Sequence, residues 1–207
     1  TGCTISNVTI EYVSSSTDCS GVSIITSGNH TFTNLTVEQI TGGGLALGVR
    51  VCSNVGGCQF TNTVTRFMSS GSNCASGLYL DPSTNNCTFT NNTISDLTST
   101  GLFPAGIYVH AGNHHTFSNT TIQTLQGSSA AAGVIFSMGD HNTATNTTVS
   151  GLTATSTTGF ISGLQTQGFP PNYADSHVFD GGSVSDFHAP YQVRGATINS
   201  GSENCAI

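Results

Sequence analysis

Lysine and tryptophan are absent from this 207-residue chain, and three arginines stand against ten acidic residues, for a net charge of −7. So little positive charge cannot neutralise a phosphate backbone, which excludes nucleic acid as a partner. It also argues against attraction to an anionic membrane surface. No run of 18 apolar residues occurs, so no segment is expected to span a bilayer as a helix. Glu and Lys are scarce and no stretch holds apolar residues at 3.6-residue spacing, so helices are not expected. No signal-peptide pattern follows Thr1, which reads as a processed or partial chain.

What is present is a repeat of about 28 residues. Ile5, Phe32, Phe60, Phe89, Phe117, Ala144 and Phe179 mark the same point in seven copies. Two residues after each marker stand Asn7, Asn34, Asn62, Asn91, Asn119 and Asn146, with Gly181 in the seventh copy. Such a period signals a solenoid, in which each copy buries its apolar face only against its neighbours. Apolar residues follow five on (Ile10, Val37, Val64, Ile94, Ile122, Val149, Val184) and eight on (Val13, Ile40, Phe67, Leu97, Leu125, Leu152, Phe187), the third copy being read as one residue short. A second segment, GVSII, GVRVC, GLYLD, GIYVH and GVIFS, alternates apolar and polar after a glycine, the period of a strand. About three short strands per copy describe one coil of a parallel β-helix. The Asn column then suits a left-handed bend, and its stacked amides can form a ladder inside the coil.

FTNNTISDL (89–97) with GIYVH (106–110), and FSNTTIQTL (117–125) with GVIFS (133–137), resemble the repeats of the pectin lyase-like superfamily. The resemblance covers nearly the whole chain. A weaker one, to the repeats of polymorphic outer-membrane proteins, rests on the Phe and Asn pairing. The first implies an all-β fold: a single-stranded right-handed parallel β-helix of about seven coils, with one domain over 1–207. Coils are expected to start near 3, 30, 58, 87, 115, 142 and 177, with a loop insertion at 168–176 and a tail at 202–207. Such repeats specify fold and leave function open.

Seven cysteines in a lysine-free chain suggest an oxidising, extracellular setting. Cys58 and Cys87 both lie two before the marker in adjacent coils, about 4.8 Å apart and within disulfide reach. Cys52 competes for Cys58, and a stack of buried free thiols is the alternative. The odd count leaves one thiol over, with Cys205 the leading candidate. Asn-x-Ser/Thr sequons begin at Asn7, Asn29, Asn34, Asn86, Asn91, Asn119 and Asn146. Ladder residues facing the interior cannot carry a glycan, so Asn29 and Asn86, at a corner outside the ladder, are the expected glycosylation sites.

In the resembling polysaccharide lyases and hydrolases the glycine-led strand faces substrate. Its outward column reads Ser23, Arg50, Tyr79, Tyr108, Ile135, Gln165, Gln192, and two residues on Ile25, Cys52, Asp81, His110, Ser137, Gln167, Arg194. Arg50, Tyr79, Asp81, Tyr108 and His110 thus form a candidate ligand-binding patch for a saccharide. Asp81 is the only carboxylate on that face, whereas glycoside hydrolysis needs two, so no catalytic residue, cofactor or metal is assigned. Asp81, His110 and Ser137 stand in acid–His–Ser order. Glu11 and Glu38 stack, Arg66 and Asp96 are expected to pair, and His30, His114, His115, His141 and His177 cluster at one corner. Paired Thr ranks beside the markers, such as Thr31 with Thr33 and Thr88 with Thr90, offer an ice-binding reading. With no recognisable cap at either end, the leading expectation is head-to-tail self-association of a secreted, glycosylated structural solenoid into a filament or surface layer. Saccharide binding is the alternative.

Overall fold

The computed structural model describes residues 2–25, 28–52, 55–167, 174–198 and 202–203. The chain winds into a parallel β-solenoid of about seven coils. One seven-stranded sheet runs β1 (Thr4–Ser15), β3 (Thr31–Gly42), β5 (Gln59–Ser70), β7 (Thr88–Ser99), β9 (Thr116–Gly127), β11 (Thr143–Ala154) and β14 (Val178–His188). The other runs β2 (Cys19–Ile24), β4 (Ala46–Val51), β6 (Ala75–Leu80), β8 (Pro104–Val109), β10 (Ala130–Ser137), β12 (Phe160–Gln167) and β15 (Gln192–Ile198). A small third sheet pairs β13 (Ala174–Asp175) with β16 (Ser202–Glu203). The segment 168–173 and Cys205 lie outside the described residues. No helix of the structure is long and apolar enough to cross a membrane.

Each coil is two long β stretches rather than three separate strands, and the first stretch is bent by left-handed residues. Asn7, Asn34, Asn62, Asn91, Asn119 and Asn146 all have φ between 50° and 57°. A second left-handed column, five residues later, runs Tyr12, Gln39, Phe67, Asp96, Thr124, Gly151, Asp186, and a third, three before the marker, runs Asn29, Gly57, Asn86, His114, His141, Ser176. A left-handed residue breaks strict in–out alternation, so the residue after the marker and the Asn both face outward. The Asn ladder is therefore on the outside, not in the interior as its sequence pattern suggested. Each Nδ2 donates to the previous Oδ1: Asn34 to Asn7 at 2.8 Å, Asn62 to Asn34 at 2.9 Å, Asn91 to Asn62 at 3.2 Å, Asn119 to Asn91 at 3.1 Å and Asn146 to Asn119 at 3.3 Å.

The third copy is not short. Backbone register sets Val37 opposite Thr65 and Ile40 opposite Met68. Thr65 and Met68 are buried, while Val64 faces outward and Phe67 is an exposed corner residue. Parallel pairing enforces equal residue counts, and that overrides the preference for an apolar residue inside. Thr63 and Thr65 consequently bury hydroxyls that find no partner among the described residues.

Inside, Phe32, Phe60, Phe89 and Phe117 stack face to face with ring centroids 4.6 to 4.9 Å apart. The sixth marker is Ala144, too small to continue the stack. Phe136, on the opposite wall at a position occupied by Val51, Leu80 and Val109 in earlier coils, fills the space. Its ring lies 6.0 Å from Phe117 and 5.0 Å from Phe179. The glycine of each second stretch also has a packing reason. A Cβ on Gly77 would lie 2.5 Å from Ile94, on Gly106 2.6 Å from Ile122, and on Gly133 2.5 Å from Val149. Each glycine makes room for the β-branched residue of the next coil, and so locks adjacent coils together.

The Phe136–Ala144 exchange can be tested. Phe136→Ala should lose about 3–5 kcal/mol by chemical denaturation. Ala144→Phe alone should also destabilise, by overpacking. The double variant should recover much of the loss, and strictly additive effects would show that the two positions do not share one space.

Candidate functional site

The outward face of the β2–β15 sheet gathers the sequence-predicted patch. Register places Ser23 beside Arg50, then Tyr79, Tyr108, Ile135 and Gln165. The seventh position is Thr197 rather than Gln192, and Arg194 lies opposite Ser162, because more residues separate β12 from β14 than separate β10 from β11. Arg50 donates from Nε to Asp81 Oδ2 at 2.9 Å, with Nη2 at 2.8 Å from the same oxygen. Tyr79 and Tyr108 meet edge to face at 5.4 Å, and Phe103 and His110 flank Tyr108 at 5.9 and 5.8 Å. Beneath them Cys74, Ala105, Ala132 and Ile135 form a second apolar cluster outside the coil. Burial pushes both tyrosine hydroxyls above their ordinary pKa and the Cys74 thiol up to about 12, so all three keep their protons at neutral pH.

Asp81, His110 and Ser137 do not form a relay. The Asp81 carboxylate is engaged by Arg50, and Ser137 Oγ accepts from Gln167 Nε2 at 3.2 Å, which in turn receives Gln165 Nε2 at 2.8 Å on Oε1. Near the seventh coil a cleft of about 210 Å³ is lined by Phe160, Ser162, Gln165, Gln192, Arg194 and Thr197. There Gln192 Oε1 accepts from Arg194 Nε and Nη2 at 3.0 and 2.6 Å. The sequence pattern did not single out this cleft, since its residues come together only through the shifted register of the last coil.

Two other expected arrays rearrange. Arg66 pairs with Glu38, its register neighbour, and not with Asp96, which is a left-handed corner residue. That contact also compensates the Glu11–Glu38 stack. The histidines split into two columns. His114 and His141 stack outside with centroids 4.9 Å apart, while His30, His115 and His177 alternate with Cys58, Cys87 and Asn142 along the inner wall. This inner column has one job: each side chain accepts the backbone N–H of its counterpart one coil earlier. Cys3 N donates to His30 Nδ1 at 3.0 Å, Cys87 N to His115 Nδ1 at 3.1 Å, His115 N to Asn142 Oδ1 at 2.9 Å and Asn142 N to His177 Nδ1 at 3.2 Å. The N–H groups of His30 and Cys58 point in the same way at the sulfurs of Cys58 and Cys87. His, Cys and Asn share the column because all three carry an acceptor at the same short reach. No group of three or more His, Cys, Asp or Glu residues placed to hold a metal occurs among the described residues.

The sequons lie at two kinds of position. The ladder residues are exposed, but the Nδ2 atoms of Asn34, Asn91, Asn119 and Asn146 are already hydrogen-bond donors. Asn29 and Asn86 stand exposed at their left-handed corner. The Thr ranks beside the markers lie in register on the outside, interrupted by Gln59 and by Ser118, whose hydroxyl donates to Thr90 at 3.2 Å.

No family model and no curated protein matches the chain. Among solved structures, it is similar to the A-module of mannuronan C-5 epimerase AlgE6 from Azotobacter vinelandii, at 11% identity and a TM-score of 0.31. The match covers 94% of this chain and 58% of that one, so the chain spans less than two thirds of its length.

His115 supplies a prediction about pH. Burial lowers its pKa from 6.5 to about 4, so between those values the unfolded chain binds a proton that the folded chain refuses. The stability contributed by the neutral ring is present above pH 6.5 and is lost as pH falls toward 4, by up to about 3 kcal/mol. His115→Asn keeps an acceptor for Cys87 N–H and should flatten that part of a Tm-against-pH curve. An unchanged slope would assign it to other groups.

Proposed function

We propose that the chain is a structural β-solenoid that stacks end to end on further copies of itself, forming an extracellular filament or surface layer. The observation that carries this reading is that, among the described residues, apolar side chains of the first and last coils are exposed along the columns that join neighbouring coils. Gly21, Gly77, Gly106, Gly133 and Gly163 each lie beneath a β-branched side chain of the following coil, whereas a Cβ on Gly195 would meet, among the described residues, Val184 of its own coil at 3.2 Å. Val193 and Ile198 are 47% and 48% exposed beside it. At the other end Ile5 and Ile25 are 38% and 63% exposed and border a hollow of about 270 Å³ with Val22, Ile24 and Phe32. Continuing the register across a second copy sets Val184 against Ile10, Phe187 against Val13 and Ile198 against Ile24, apolar against apolar throughout. Glycans on Asn29 and Asn86 would project sideways from a corner, clear of that contact.

Electron microscopy and sedimentation of the purified chain test this. Rods longer than one subunit are expected, and Val184→Asp should return them to monomers by placing an unpaired charge in the joint. A wild-type chain that stays monomeric at high concentration overturns the reading.

A second reading, saccharide binding on the β2–β15 face, is supported by the aromatic cluster of Tyr79, Tyr108 and His110 beside the Arg50–Asp81 pair. Here Tyr79→Ala with Tyr108→Ala should lower affinity for a bound polysaccharide at least tenfold, as loss of about 1.4 kcal/mol requires. An unchanged affinity, or no polysaccharide retained by the wild type, removes its support.

A further inference from the structure

We propose that Cys58 and Cys87 are joined by a disulfide inside the solenoid, made while the fourth coil is laid on the third and sealed from solvent afterwards. The two residues are register neighbours: Thr88 N donates to Cys58 O at 2.8 Å, and Gln59 lies opposite Thr88. Both side chains are 0% exposed, and as free thiols each donates to a backbone carbonyl two residues earlier, Cys58 Sγ to Gly56 O at 4.0 Å and Cys87 Sγ to Asn85 O at 3.6 Å.

The other described cysteines are placed elsewhere. Cys52 faces outward with its sulfur 3.6 Å from Ser23 Oγ, so the Cys52–Cys58 alternative fails on direction. Cys74 lies in the apolar cluster outside the second sheet, Cys19 stands opposite Ala46, and Cys3 lies at the first coil beside His30. His30 and His115 flank the pair along the inner column, and each accepts a backbone N–H through Nδ1.

The chemistry balances with a small disulfide such as oxidised glutathione as the electron acceptor. The Cys58 thiolate attacks one of its sulfurs and releases one glutathione thiolate. The Cys87 thiolate, its proton passed to solvent, then attacks the Cys58 sulfur of the mixed disulfide and releases the second. Two cysteine thiols are oxidised and one glutathione disulfide is reduced. With both sulfurs fully enclosed in the finished coil, the exchange has to precede closure of the corner at Gly57 and Asn86.

The test is to refold the chain in a glutathione redox couple, unfold it without reductant, block free thiols with N-ethylmaleimide and map a peptic digest by mass spectrometry. A Cys58–Cys87 linked peptide, lighter by two hydrogens than its reduced parts, is expected. The native protein should resist dithiothreitol that reduces the guanidinium-unfolded protein at once. Cys58→Ser and Cys87→Ser should each lower Tm by several degrees, and the double variant by no more than either alone. Maleimide on both residues in the unreduced protein, or linkage of either to another cysteine, overturns the proposal.

Discussion

Every coil has to return to the same corner after the same number of residues, and the left-handed backbone at fixed columns is what makes that possible. Strands alone would run on straight. Three columns with φ near 55° bend the chain around its interior, and two of them, at the Asn ladder and before the marker, favour residues that enter this region at low cost. With the corners fixed, backbone hydrogen bonds run from coil to coil in continuous register. Side chains stack in columns as a result, and one residue type in a column can bond to itself, as the Asn amides do.

The interior follows from that register rather than from hydrophobicity alone. A column position is filled by whatever residue the count delivers, so Thr65 sits buried where other coils have Val or Ile, and Thr63 begins a run of buried polar residues with Asn92, Thr120 and Thr147. Where a column lacks volume, the facing wall supplies it, as Phe136 does for Ala144. The glycine column thins the second wall so that β-branched residues from the next coil can enter. The inner His, Cys and Asn column satisfies the N–H groups that the left-handed corner removes from the ladder. These devices operate between neighbouring coils, which is why a single coil has no stability of its own.

The lateral faces offer less chemistry than their residues suggest. The Arg50–Asp81 pair, the Arg66–Glu38 pair and the Gln165–Gln167–Ser137 chain use up most of the polar groups that could have acted on a substrate. Accessible among the described residues are an aromatic cluster, a cleft around Arg194, and apolar side chains of the first and last coils.

The sequence by itself determined the solenoid, its period and the Asn column, because stacked coils repeat the same local demand at the same position and so leave a periodic trace. It also placed Cys58 beside Cys87 and put Arg50, Tyr79, Tyr108 and His110 on one face. Only the tertiary structure decided which way the ladder faces, that the third copy is full length, that Arg66 takes Glu38, and that the corner histidines divide into an outer stack and an inner set of acceptors. Those outcomes turn on the sign of φ at single residues and on hydrogen-bond register between coils. Neither changes residue composition or spacing, so neither leaves a mark that can be read along the chain.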